Sequence, residues 1–130
     1  MTNPSDYKYV QSHEWLYYVD TDKVRVGITD FAQNAMGDIV FVNLPLVGDM
    51  TTAGEPLCDM ESVKSVEDIF APVSGEITAI NEELMDHPEL INSAPYEAWI
   101  AEISNITDTE ELLDAAAFTR GGVRWPLTFQ

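Results

Sequence analysis

Two seven-residue segments of this 130-residue chain read alike. Leu44-Pro45-Leu46-Val47-Gly48-Asp49-Met50 and Ala71-Pro72-Val73-Ser74-Gly75-Glu76-Ile77 share the pattern apolar-Pro-apolar-x-Gly-acid-apolar, offset by 27 residues. Proline ends a strand because it has no N–H to give to a ladder. The glycine then takes a backbone conformation closed to other residues, and the apolar residue after the acid opens a new strand. Two copies predict two similar β-layers.

The stretch between the copies, residues 55–71, reads as two extended runs. Cys58 and Met60 share one face opposite Asp59 and Glu61, while Ile69, Ala71 and Val73 share a face of the run that follows. Lys64 falls near the midpoint. It is expected at or beside a hairpin tip, where a side chain stands clear of the body.

Elsewhere β-rich runs also dominate. Residues 15–19 and 24–28, separated by the polar cluster Asp20-Thr21-Asp22-Lys23, predict a hairpin. Asp30 with Gln33 resembles a capping box for a short helix carrying Phe31, Ala32, Ala35 and Met36 and stopped by Gly37. The run Ile39-Val40-Phe41-Val42 is apolar on both faces and predicts a strand covered on both sides, ending before Pro45. Short helical fragments are expected at 81–86 and 88–91, with Pro88 at the first helical position of the second. A strand follows at 99–103. The strongest helix signal covers 108–119, with Thr107 and Glu110 as capping box, a stripe of Leu112, Leu113, Ala116 and Ala117, and Gly121-Gly122 as its end. Trp15 and Trp99 are expected as core aromatics, Met50 and Met60 as gap fillers, and His87 as a loop residue.

Charge narrows the function. The chain carries 23 acidic and 6 basic side chains, a formal net charge of −17. Such a surface repels phosphate backbones and anionic headgroups, so no nucleic acid and no membrane is expected as partner, and basic protein surfaces are. With 45% apolar residues and 13 aromatics there is material for one core, and one domain over 1–130 is expected. Cys58 is the single cysteine, which excludes an intrachain disulfide. Beside Asp59 it reads as a small core residue rather than a reactive thiol. The first residues contain neither an apolar h-region nor an Arg-rich stretch, and a cytoplasmic protein is expected.

The enzyme templates fail. His13-Glu14 begins like a zinc-protease helix, but residue 17 is Tyr and His87 is the only other histidine, so no metal site is expected. Nucleophile-elbow, Walker and dinucleotide-binding glycine patterns are absent. What remains is the position of one cation. Between Arg25 and Arg120 run 94 residues with 19 carboxylates and one basic side chain, Lys64. One reading is a solvated lysine softened by Glu61, Glu67 and Asp68, in ion pairs worth about 0–1 kcal/mol each. The other is a lysine displayed on a turn for acylation by another enzyme. Acidic neighbours favour the charged amine, which argues against a Schiff-base role.

Glu61-Ser62-Val63-Lys64 resembles the lipoyl-attachment motif of the H proteins of the glycine cleavage system. Further segments resemble that family in the same order: His13-Glu14-Trp15, Gly27-Ile28-Thr29-Asp30-Phe31-Ala32-Gln33, Gly37-Asp38-Ile39-Val40-Phe41-Val42, Leu44-Pro45, Val47-Gly48, Asp68-Ile69, Ala71-Pro72-Val73-Ser74-Gly75-Glu76 and Pro88-Glu89-Leu90-Ile91-Asn92. The likeness covers about residues 7–118. It implies a mainly β barrel-sandwich hybrid with short peripheral helices and a C-terminal helix, carrying lipoic acid as an amide on Lys64.

The resemblance also implies a non-catalytic carrier with several partners. The arm takes an aminomethyl group from glycine decarboxylase (P protein), gives it up at the aminomethyltransferase (T protein), and is reoxidised by dihydrolipoyl dehydrogenase (L protein). A lipoate ligase or a lipoyl/octanoyl transferase would attach it. Glu14 is the candidate to pair with the cationic amine of the loaded arm, and Asp68 a second. A lipoyl relay, or a specialised H-like protein working without glycine decarboxylase, is the alternative within carriers; a non-carrier binding module is the rival from another class. A biotin carrier would need Met on both sides of the lysine, where this chain has Val63 and Ser65. Two departures from the family stand out. Pro95-Tyr96-Glu97-Ala98-Trp99 is one residue short and lacks the usual Gly, and the tail over 119–130 is unlike the usual acidic, helical ending.

Overall fold

Strand pairing organises the chain in this computed structural model, which describes residues 4–120. In order come β1 (Lys8–Tyr9), β2 (Glu14–Asp20), β3 (Lys23–Ile28), α1 (Asp30–Met36), β4 (Ile39–Asn43), β5 (Met50–Thr51), β6 (Pro56–Ser62), β7 (Val66–Phe70), β8 (Val73–Ile80), α2 (Glu83–Asp86), α3 (Leu90–Ser93), β9 (Ala101–Thr109) and α4 (Ala115–Arg120). Six strands form one antiparallel sheet in the order β1-β2-β3-β9-β8-β5, and three form a second in the order β4-β6-β7. Their inner faces share a core: Leu16, Val24 and Val26 from the first hairpin, Val42, Met60 and Ile69 from the small sheet, and Val73, Ile77 and Ile103 from β8 and β9. This is the expected barrel-sandwich hybrid. No helix among the described residues is long and apolar enough to cross a membrane.

The repeated segments meet. Met50 pairs with Glu76 and Thr51 with Gly75, while Gly48 N donates to Ile77 O at 2.8 Å and Ile77 N to Asp49 O at 2.9 Å. Their glycines differ in purpose. Gly48 has φ +99° with open space around it, so a left-handed turn demands it, as expected. Gly75 is not left-handed; a Cβ there would lie 2.5 Å from the Ser104 carbonyl oxygen, so close strand approach demands it instead.

Several local expectations are corrected by tertiary pairing. The predicted C-terminal helix over 108–119 is strand to Thr109, because Ser74 and Val73 of β8 take up Asp108 and Thr109 in register. Leu113 then exchanges backbone bonds with Tyr9 at 2.8 and 2.7 Å. Only Ala115 onward is helical, and Asp114 rather than Thr107 caps it, its Oδ1 accepting from Ala117 N at 2.7 Å. Gly121-Gly122 and the rest of the atypical tail lie outside the described residues. The first helix is capped one residue earlier than expected: Thr29 Oγ1 accepts from Ala32 N, and the Asp30–Gln33 pair bonds side chain to side chain.

β4 is not covered on both sides. A bulge between Ile39 and Phe41 breaks the alternation, so Ile39 and Val42 face the core while Val40 and Phe41 stand 53% and 47% exposed. Met50 is exposed rather than a gap filler, whereas Met60 is fully buried. Pro88 sits ahead of α3 instead of inside it, with its carbonyl accepting from Ile91 N. The shortened 95–99 loop packs as part of an aromatic cluster: Pro95 O accepts from Trp15 Nε1 at 3.0 Å, and Tyr96 O from the Tyr7 hydroxyl at 2.6 Å. Trp99 is half-buried, with the Arg25 guanidinium 4.4 Å from its ring centre.

Candidate functional site

The β6–β7 hairpin carries the candidate attachment motif. Asp59, Met60 and Glu61 face Asp68, Glu67 and Val66 in register, which leaves residues 63–65 as the connection. Ser62 closes it. Its Oγ accepts from Lys64 N and Ser65 N, both at 3.1 Å, and Ser62 N donates to Ser65 O at 2.8 Å. A serine hydroxyl placed two or three residues before the amides it serves builds a tight turn without glycine. Val63 N donates to Asp38 O at 3.0 Å and ties the turn to the segment after α1.

Lys64 is exposed on a fixed backbone, as expected, but its side chain folds back against the α1–β4 link rather than standing clear of the body. Its Nζ donates to the Ala35 carbonyl at the end of α1, at 3.0 Å. Lys23 and Arg25 pair with Glu102 on the six-stranded sheet, and His87 lies 3.1 Å from Glu89 near α2. Val63 is exposed at the turn, and Phe41, Glu61 and Val66 form one exposed row across the three strands beside it. One step further along the same face, Asp59 and Asp68 stand directly opposite each other. Like charges so placed weaken a sheet pairing, so this face favours a cationic neighbour.

Glu14 is at the other end of the hairpin. Val66 to Phe70 spans about 13 Å at strand rise, and it is Phe70 N that donates to Glu14 Oε2, at 3.2 Å. The Ser12 hydroxyl donates to Oε1. Only 2% of Glu14 is exposed, and burial pushes its carboxyl up to about 8, against the lowering effect of the Ser12 and Phe70 bonds. Cys58 lies within electrostatic reach of Glu14, Asp59 and Asp68; burial first, then these carboxylates, push its thiol up to about 12, which makes it inert as expected. Asp68 is exposed on the outer face. The structure thus brings Glu61, Ser62, Val63 and Lys64 into one turn, and separates Glu14 and Asp68 from it.

Two contributors escaped the sequence reading. Ser12 was unmarked although it stands two residues before Glu14, a spacing at which a hydroxyl reaches a neighbouring carboxylate. Ala35 offers only a backbone carbonyl, for which side-chain motifs hold no signal. A cleft of about 320 Å³ is lined by Val10, Gln11, Ser12, Glu110 and Glu111.

Comparison with known proteins agrees with this geometry. The family pattern described as Glycine cleavage H-protein matches residues 7–121. The chain is 52% identical over 105 residues to the glycine cleavage system H protein of Lachnoclostridium phytofermentans, covering 81% of this chain and 83% of that one. It is 53% identical over 115 residues to the H protein of Halalkalibacterium halodurans, covering 86% and 89%. Among solved structures it resembles a glycine cleavage system H protein from Mycobacterium marinum, with a TM-score of 0.85, 39% identity, and coverage of 92% of this chain and 98% of that one.

Proposed function

The chain belongs to the glycine cleavage H-protein family, and from that premise we propose that Lys64 is the amine to which lipoic acid is joined. The protein is a carrier component of the glycine cleavage system. Its partners on this reading are glycine decarboxylase, the aminomethyltransferase, dihydrolipoyl dehydrogenase, and a lipoate ligase or lipoyl/octanoyl transferase that loads it. The Ser62-clamped turn with its exposed amine is the observation that supports the assignment. It fits a long acyl group: the residue is exposed at a hairpin tip, and its stem lies on the surface along the α1–β4 link rather than in the core. When bound, the dithiolane supplies a reducible disulfide that takes up and hands on an aminomethyl group.

The chain's own residues supply position and charge. Ser62 and Asp38 O hold the turn, so an enzyme that recognises the body meets Lys64 in a fixed place. The turn-mounted lysine gives whatever it carries a high effective concentration at each docked partner. Glu61, Asp59 and Asp68 on the exposed face steer encounters toward basic docking surfaces. For Glu14 we retain the role of partner to a cationic amine. Its carboxyl holds a proton at neutral pH. A neutral amine brought beside Glu14 would accept that proton and leave an ammonium–carboxylate pair shielded from water.

Incubation with a lipoate ligase, lipoate and ATP, read by intact mass, tests the attachment. One lipoyl adduct is expected on the wild type and none on Lys64→Arg; an unmodified wild type, or an adduct that persists in Lys64→Arg, removes the assignment. Glycine-dependent release of carbon dioxide with the other three components tests the system. Glu14→Gln is expected to shorten the survival of the aminomethyl load in water, and an unchanged lifetime counts against its role.

A further inference from the structure

Asn92, the last residue of the Pro88-Glu89-Leu90-Ile91-Asn92 segment, has so far no task, yet it spends its whole side chain on one place. Its Oδ1 accepts from Ile39 N at 2.9 Å, and its Nδ2 donates to Gly37 O and to Gln33 Oε1, each at 2.9 Å. These partners flank the short link between α1 and β4. The same link meets Lys64 from the other side. Ala35 O accepts from Lys64 Nζ, and a Cβ on Gly37 would lie 3.1 Å from Lys64 Cε and 4.0 Å from Val63 Cγ2. Gly37 has φ +82° and ψ −163°, a conformation that side-chain-bearing residues rarely adopt. The lysine stem thus lies along a bare stretch of backbone whose position an amide on α3 determines.

We propose that Asn92 and Gly37 are positioning residues for Lys64, together forming a seat that holds the unmodified lysine in one orientation for the enzyme that acylates it. This rests on the reading of Lys64 as the acylated residue. A free lysine side chain has many rotamers, and an enzyme must select the one that reaches its activated acyl group. A seated stem has made that selection before encounter, and preorganisation of this kind raises the efficiency of productive encounters. The seat holds the amine by one carbonyl only, so it lets go when the enzyme's own contacts replace that bond. Asn92 is suited to the task because its amide offers a donor and an acceptor at once: the acceptor holds the start of β4 and the donor holds the end of α1.

Asn92→Asp tests this, since it keeps an acceptor for Ile39 N and turns the donor facing Gly37 O into a second acceptor. Two rates are read on folded protein. Lipoylation by a lipoate ligase is expected to fall about fivefold in kcat/KM. Chemical acetylation of Lys64 by N-acetoxysuccinimide, measured against Lys8 in the same molecule, is expected to rise about threefold, the order of one net hydrogen bond. General destabilisation moves neither the Lys64-to-Lys8 ratio nor the two rates in opposite directions. Unchanged values of both in folded Asn92→Asp overturn the seat. If that variant fails to fold, Lys64→Met decides: loss of the bond to Ala35 O is expected to shift the Met36 amide resonance, and an unmoved signal overturns the seat. A wild type that no ligase modifies refutes the carrier reading of Lys64, whereas the acetylation ratio and the amide shift still report on the seat itself.

Discussion

The two ends of the β6–β7 hairpin are built by opposite means. At the tip, short polar bonds from Ser62, Asp38 and Ala35 fix a turn whose Val63 and Val66 side chains face water. Toward the base, Ile69 is buried in the core shared by both sheets, and the Glu14 carboxyl is enclosed beside Phe70. The tip is geometrically defined but contributes little burial; the base supplies stability and carries an electrostatic strain. If Lys64 is acylated as proposed, this separation lets other enzymes handle the tip without disturbing the core.

The strain at the base should be the largest measurable effect. Glu14 binds its proton more tightly folded than unfolded, since its carboxyl is raised from the ordinary 4.5 to about 8. Between those values the folded state holds the extra proton, so the stability this group allows is present at low pH and lost as pH rises toward 8. Glu14→Gln cannot ionise. At pH 9 it should exceed the wild type in unfolding free energy by on the order of 4 kcal/mol, and the advantage should shrink toward pH 5. Parallel stability curves for the two proteins from pH 5 to 9 would show that Glu14 is not held neutral at the base.

Ile69→Ala comes next. Truncating a buried isoleucine at the base should cost about 3 kcal/mol in urea unfolding, through lost transfer energy and the cavity left behind. Lipoylation of the still-folded variant at low temperature should stay within about twofold of wild type, because the tip is held by its own bonds. A large loss of lipoylation with the fold intact would mean that the two ends are coupled.

How much of this was legible in the sequence follows the same division. Local chemistry was readable where local bonds decide the outcome: the Asp20–Lys23 turn, the short helix before Gly37, and a hairpin tip at Lys64 all stand where residue types placed them. Where distant strands decide, local patterns misled. Thr107 and Glu110 have the spacing of a capping box, but β8 claimed the backbone of Asp108 and Thr109 for its ladder. Gly48 and Gly75 are identical in the repeat, and only the packing of Ser104 against Gly75 distinguishes them. Val40 and Phe41 looked like core until a bulge turned both outward. The Glu61-Ser62-Val63-Lys64 turn was recognisable from family likeness as well as from position. The burial of Glu14 was not, because it depends on Ser12 and on Phe70, 56 residues away.

The smallest effects should sit at the tip, and they separate holding a turn from merely lining it. Ser62→Ala removes one acceptor shared by two amides, Lys64 N and Ser65 N. Both amides lie near solvent and water replaces part of the loss, so the cost should be about 1 kcal/mol. Faster hydrogen exchange at Lys64 and Ser65 should accompany it, and unchanged exchange would show that the backbone holds the turn without the hydroxyl. Val66→Ala, by contrast, trims a side chain that is 60% exposed and should change unfolding free energy by less than about 0.5 kcal/mol. Lipoylation of Val66→Ala should likewise match wild type if the clamp alone presents Lys64. A drop in lipoylation with stability unchanged would locate part of the recognition in the exposed row of Phe41, Glu61 and Val66, and would make the outer face of the small sheet a contact surface for the loading enzyme.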